Sequence, residues 1–161
     1  MRTETILSEY LTFEPAVDSD AAPLAEIRVR AMQPSLERIG RFDPQRARDR
    51  FLSGFCAANT YHVVVAGINV GFFVLKQHSP GVMLLDHLYI QPEQQNRGIG
   101  STVLREVIYR AMQRKCSLRV GALKKSDSNR FYTRHGFVLT EQTENDNYYV
   151  YPYMDAQSLT D

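Results

Sequence analysis

The stretch Gln95-Asn96-Arg97-Gly98-Ile99-Gly100 constrains this chain most, because it joins an apolar strand to an amphipathic helix. The strand is Val82–Ile90, rich in aliphatic and β-branched residues, and the helix starts near Gly98 and runs toward Arg114. A glycine-rich turn at a helix start leaves backbone N–H groups without intrahelical acceptors, at the positive end of the helix dipole. Such a turn binds phosphate or pyrophosphate without a metal. The dinucleotide pattern G-x-G-x-x-G fails, since Ser101-Thr102-Val103 follows Gly98-Ile99-Gly100, and the Gly-Lys-Ser/Thr ending of a P-loop is missing. Taken alone, the turn is also compatible with a tight strand-to-helix connection that binds nothing.

The rest of the chain places that turn in an α/β frame. Leu11–Glu14 reads as a strand, and Asp18-Ser19-Asp20 offers caps for a helix with Pro23 in its first turn and Leu24, Ile27 and Ala31 on one face. Pro34 is expected to bend or end that helix, and Asp43-Pro44 to start another carrying Ala47, Phe51 and Leu52. Tyr61–Ala66 and Val70–Lys76 read as a hairpin around Gly67-Ile68-Asn69, and His78-Ser79-Pro80-Gly81 turns the chain into Val82–Ile90. Beyond the glycine turn, Leu104, Val107, Ile108, Ala111 and Met112 recur at helical spacing. A strand at Leu118–Leu123, a short helix from Asp127 to His135 closed by Gly136, and the strands Phe137–Glu141 and Tyr148–Tyr153 follow. The order β-α-α-β-β-β-α-β-α-β-β predicts a mixed, mostly antiparallel sheet of six to seven strands with about four helices, in one domain over residues 1–161.

Composition narrows the class. A chain of 161 residues, 43% hydrophobic and 23% charged, is globular, and a net charge of +1 argues against a polyanion such as nucleic acid as the main partner. No run of about 18 apolar residues is present to span a membrane. The opening MRTETILSEYLTFEP carries glutamates and lacks the apolar segment of a secretory signal, so a cytoplasmic location is expected. Cys56 and Cys116 are isolated thiols without metal-ligand spacing, and no metal site is expected.

The wider pattern Leu88-Tyr89-Ile90-x-Pro92-Glu93-x-Gln95-x-x-Gly98-x-Gly100 resembles motif A of the GCN5-related N-acetyltransferases. Phe131-Tyr132-x-x-x-Gly136-Phe137 resembles motif B of the same family, and the likeness extends over almost the whole chain. It implies that family's fold, acetyl-CoA as cofactor, and transfer of the acetyl group to an amine by direct attack in a ternary complex. The residues that match the acetyl-CoA contacts are Leu88, Tyr89 and Ile90 on the strand and Gln95, Asn96, Arg97, Gly98, Ile99, Gly100 and Ser101 in the turn. One departure stands out. Where the family often has Asn, six residues before motif B, this chain has Lys125, so that Lys125, Ser126 and Asn129 all stay open as replacements for that contact.

The reaction needs a base for the acceptor, because a primary amine of pKa about 10 is mostly protonated at neutral pH. Asp86 shares a strand face with Leu88 and Ile90 and is the single acid in an apolar strand, where burial would raise its pKa. It is expected to act as base, directly or through water, or to anchor the substrate ammonium; pairing with a neighbouring cation is the plainer alternative. His87, on the other face, is expected to be a hydrogen-bonded core residue. Tyr132 matches the family position that protonates the leaving thiolate, although a tyrosine on a short helix also serves packing alone. For the acceptor, Glu37 and Arg41 near the first helices, together with Tyr149 and Tyr151 beside the acidic loop Glu141–Asn147, suggest an aromatic pocket for an ammonium group. A small amine, an amino acid and a peptide N-terminus all fit. A regulatory domain that binds acetyl-CoA without turnover, and a protein lysine or N-terminal acetyltransferase, are the alternatives; monomer and homodimer both stay open.

Overall fold

The structure, a computed structural model, describes Tyr10–Asp155. The first nine residues of the acidic opening stretch lie outside it. The elements are β1 (Leu11–Pro15), α1 (Ala21–Arg38), α2 (Pro44–Gly54), β2 (Thr60–Val65), β3 (Ile68–Ser79), β4 (Val82–Ile90), α3 (Ile99–Gln113), β5 (Ser117–Leu123), α4 (Ser128–Arg134), β6 (Val138–Gln142) and β7 (Asp146–Tyr151). The strands join in the order β1-β2-β3-β4-β5-β7-β6; β4 and β5 pair parallel, while β1 with β2, β2 with β3, β5 with β7 and β6 with β7 pair antiparallel. This is a mixed sheet of seven strands, within the six to seven expected. Among the described residues no helix is long and apolar enough to cross a membrane.

Contacts divide the chain into two compact units whose boundaries fall inside β3, β4 and α3. The first comprises the residues through Val74 together with His87–Val103. Its core is Ala16, Leu24, Ala25, Ile27, Phe51, Phe72 and Val74, with Phe55 and Tyr89 packed against it. Phe51 meets the rings of Phe72 and His87 edge-on at 5.3 and 5.2 Å. The second comprises Leu75–Asp86 and the residues from Leu104 on, and buries Met83, Leu85, Leu104, Val107, Ala111, Leu118 and Val120.

Local chemistry explains most element boundaries, and two expectations need correcting. Asp43 caps α2 by accepting from Arg46 N at 3.1 Å, with Pro44 at the first helical position. Asp20 does not cap α1 through its side chain; it accepts instead from Val17 N–H at 2.8 Å and from His62 Nε2 at 2.8 Å. The Val17 amide, then His62, hold its carboxyl below the ordinary carboxylate range. Of the two outcomes expected at Pro34, a bend or an end, the second is excluded, since α1 continues to Arg38. Both Pro34 and Arg30, whose carbonyl loses its helical donor, are exposed, so water can take that bond. The first hairpin turns on Ala66-Gly67 alone, both at positive φ (51° and 81°), the geometry of a two-residue turn. Ile68 and Asn69 therefore belong to β3, and a bulge beside Val63/Val64 absorbs the change of register.

Candidate active site

β4 presents its two edges differently. Gln91 N–H donates to Val70 O at 2.8 Å, and a Cβ built on Gly71 would touch the Tyr89 carbonyl oxygen, so Tyr89 and Gln91 turn their backbone groups toward β3. Alternation along the strand turns those of Leu88 and Ile90 the opposite way. The parallel ladder with β5 runs from Val82↔Ser117 to Leu85↔Val120, so Leu88 lies past its last rung. Gln95 Nε2 donates to Ile90 O at 2.9 Å, tying the turn back to the strand end. That leaves the Leu88 N–H and C=O on an edge beyond the ladder, as a peptide-like ligand requires.

The turn itself contains two left-handed residues, Asn96 at φ 65° and Gly98 at φ 80°. Thr102 N–H and Thr102 Oγ1 both donate to Gly98 O, at 3.2 and 3.1 Å, which makes Gly98 the start of α3's hydrogen-bonding. Helix geometry leaves the N–H groups of Ile99, Gly100 and Ser101 without intrahelical acceptors. Ile99 is buried and anchors this first turn, while Gln95, Asn96, Arg97 and Gly98 are exposed. Arg97 bonds to Gln94 Oε1 through its guanidinium, so its backbone amide is the part that belongs to the turn's donor set.

Other expected residues fall elsewhere. The Tyr89 side chain lies between α1 and β4, 5.6 Å from the Phe72 ring, and its backbone serves β3; it does not join Leu88 and Ile90 on the ligand edge. Asp86 is exposed rather than buried, and Lys76 Nζ pairs with it at 3.2 Å, so the burial expected to suit it for proton abstraction is not there. His87, expected as a hydrogen-bonded core residue, is hydrogen-bonded but only part-buried, with Nδ1 3.3 Å from the Tyr89 hydroxyl.

In the second unit, Tyr132 on α4 is buried in a ring cluster with Phe131, Phe137 and Tyr149, at 5.4, 5.5 and 6.2 Å. Asn129, one turn earlier, is fully committed inside the fold. Its Nδ2 donates to Leu123 O (2.8 Å) and Ser126 O (3.0 Å), and its Oδ1 accepts from Asn147 Nδ2 and Tyr149 OH, both at 2.8 Å. It is a knot between β5, α4 and β7 and has no amide hydrogen to spare for a cofactor. Lys125 is exposed at φ 70°.

Several residues expected to contact the acceptor have partners within their own units. Tyr149 is buried with its hydroxyl given to Asn129, and Tyr151 packs edge-on against Phe137 at 5.5 Å. Glu141 of the acidic loop is taken by Arg119 at 2.9 Å. Glu37 accepts from Gln33 at 2.7 Å, and Arg41 closes the end of α1 through its backbone, N–H to Leu36 O at 2.9 Å. A polar residue that the expectation omitted lies in the first unit: Arg28, buried on α1, bonds to Ala47 O through Nη1 and to the Tyr89 hydroxyl through Nε at 3.4 Å. Its sequence signal was its place four residues after Leu24, on the apolar face of the helix.

A mixed sheet whose fourth strand feeds a glycine-capped helix, with a Phe-Tyr helix after the fifth strand, is the frame of an acyltransferase. The family model described as "Acetyltransferase (GNAT) domain" matches residues 59–139, from the start of β2 to β6, and the chain belongs to the GNAT acetyltransferase family. Solved structures with the same fold include the PaiA N-acetyltransferase of Thermoplasma acidophilum in complex with coenzyme A, 16% identical over 89% of this chain and 99% of that one, with a TM-score of 0.69. A GCN5-related N-acetyltransferase of Rhodopseudomonas palustris is 21% identical over 89% and 95% of the two chains, with a TM-score of 0.68. A GNAT family acetyltransferase of Elizabethkingia anophelis with acetyl-CoA bound is 18% identical over 89% and 99%, with a TM-score of 0.65. No curated protein matches the chain in sequence.

Proposed function

We propose that the chain, acting as one domain, transfers the acetyl group of acetyl-CoA to the primary amine of a small acceptor in a ternary complex. The observation that carries this is the pairing, within one unit, of the Gly98-started helix amides with the Leu88 edge of β4. The donor set suits the ligand: the residues from Gln95 to Ser101 include no carboxylate, and N–H groups at a helix start favour a pyrophosphate. Leu88 N–H and C=O suit the amide-bearing pantetheine arm, and an N–H at that point polarises a thioester carbonyl.

Acetyl-CoA supplies the activated acetyl thioester. The acceptor nitrogen displaces the thiol, so that a C–N bond forms, the C–S bond breaks, one proton leaves the amine and one is needed on sulfur. Tyr132, the motif B tyrosine, is the proposed donor of the second proton. Asp86, exposed and paired with Lys76, is not proposed as the base; the first proton passes to water. The test is release of free thiol from acetyl-CoA across a panel of small amines, with wild type and Tyr132→Phe. Tyr132→Phe lowers kcat roughly 10–100-fold and leaves acetyl-CoA affinity within about twofold. Equal losses in both, or none, remove Tyr132 from the chemistry. Acetyl-CoA binding without turnover on any amine instead identifies a regulatory domain.

A further inference from the structure

Arg28 is a cation in the wrong place for a purely structural residue. It is 6% exposed on the inner face of α1, and among the described residues no carboxylate pairs with it. Its neutral partners are the Ala47 carbonyl and the Tyr89 hydroxyl. Burying a guanidinium without a counter-charge is destabilising, and a Leu or Met there would fill the space without that cost. Every fully buried side-chain nitrogen or oxygen among the described residues has a partner. Nη2 of Arg28 makes no hydrogen bond, so it is not fully buried.

The surroundings orient this cation. A guanidinium can only donate, so the Tyr89 oxygen accepts from Nε, and the phenolic hydrogen is left to point to His87 Nδ1 (3.3 Å) or Met32 Sδ (3.5 Å). Arg28 is thereby fixed by α2 on one side and by β4 on the other. Tyr89 is the residue next to Leu88, whose edge is the proposed contact of the thioester.

We infer that Arg28 is the receptor for a carboxylate on the acceptor, which makes the substrate an amine that also carries an acid group rather than a polyamine. This rests on the acetyl-transfer reading above. The bound carboxylate supplies the counter-charge that the fold withholds, and a charge-assisted bond to a pre-oriented guanidinium gains more than one to water. The same cation disfavours an acceptor bearing a second ammonium. Tyr89 and His87 are positioning residues that hold the guanidinium.

Matched acceptor pairs test this: amino acids and dipeptides against their C-terminal amides, with spermidine as the polycation, read as kcat/KM by thiol release. Wild type favours the carboxylate member roughly tenfold or more, through KM, and spermidine is the poorest acceptor. Arg28→Gln reduces the preference to about twofold or less without changing acetyl-CoA affinity, and Arg28→Lys retains part of it. The wild-type comparison decides the matter even if Arg28→Gln does not fold. Equal or better turnover of amides or spermidine by wild type, or a preference that survives in folded Arg28→Gln, overturns the inference while acetyl transfer stands. Acetyl-CoA binding without turnover on any acceptor defeats both.

Discussion

Gly71→Ala is expected to destabilise the protein even though the local rule points the other way. Exchanging glycine for alanine inside a strand ordinarily gains about 0.5–1 kcal/mol of stability. At Gly71, however, the added Cβ would stand 2.2 Å from the Tyr89 carbonyl oxygen, 3.0 Å from Ile90 Cδ1 and 3.1 Å from Ile90 Cα. The first approach is about 1 Å inside an ordinary contact. Its partner is backbone, so no rotamer change relieves it, and β3 and β4 must part. Overpacking of this kind costs about 1–3 kcal/mol. Stretching the adjoining bond between Gln91 N and Val70 O, 2.8 Å in the native strand pair, costs about 1 kcal/mol more. Set against the glycine gain, the net loss is about 2 kcal/mol, which lowers Tm by about 4–8 °C in a protein of this size. Urea unfolding should show a lower midpoint at an unchanged m-value. The strand segment that must move carries Leu88, so acetyl-CoA affinity should fall roughly tenfold in parallel. Gly54→Ala is the control, since nothing lies within 4 Å of a Cβ there, and its stability should stay level or rise. A Gly71→Ala protein as stable as wild type would refute the close-approach reasoning.

The other substitutions separate structural roles from chemical ones. Asn129→Ala leaves the buried Tyr149 hydroxyl without its acceptor and removes one of the three donors to the Leu123 carbonyl, which keeps Ser126 N–H and Oγ; a loss of about 1–3 kcal/mol in urea unfolding is expected, with KM for acetyl-CoA changed less than threefold. Loss of cofactor affinity at unchanged stability would make Asn129 a cofactor ligand after all. Asp86→Asn removes the ion pair to Lys76 but no buried base, so the acidic limb of the kcat/KM pH profile should stay in place; its disappearance would restore Asp86 as the base. Asp20→Ala should cost about 1 kcal/mol at neutral pH by removing the acceptor for Val17 N–H. Because the folded carboxyl titrates below its ordinary 3.8, that contribution is whole above about pH 5 and is lost as pH falls through the folded value. Wild type and variant should therefore converge in acid, and a gap that widens on acidification would contradict the sign.

What was legible in the sequence was whatever a residue decides with its immediate neighbours. Val82–Ile90 has the bounds expected of it because its composition and the Pro80-Gly81 turn act locally, and the glycine turn reads correctly because φ near 80° at Gly98 is a property of that residue. The first hairpin was misplaced because its register depends on a bulge, and a bulge is settled between two strands rather than within one. Side-chain roles failed for the same reason. Asp86 is polar in an apolar strand whether it is buried or salt-bridged, and only the arrival of Lys76 from β3 decides between them. Tyr149 and Asn129 are each polar residues that a sequence leaves available, and the fold bonds them to each other. Arg28 shows the converse case. A lone cation on an apolar helix face is ordinarily read as a charge whose long stem reaches solvent, and here α2 and Tyr89 close over it instead. On the proposed reading, the donor side of the reaction is written in backbone geometry, which short motifs encode. On the same reading the acceptor side is written in which side chains tertiary packing leaves without a counter-charge, and no motif encodes that.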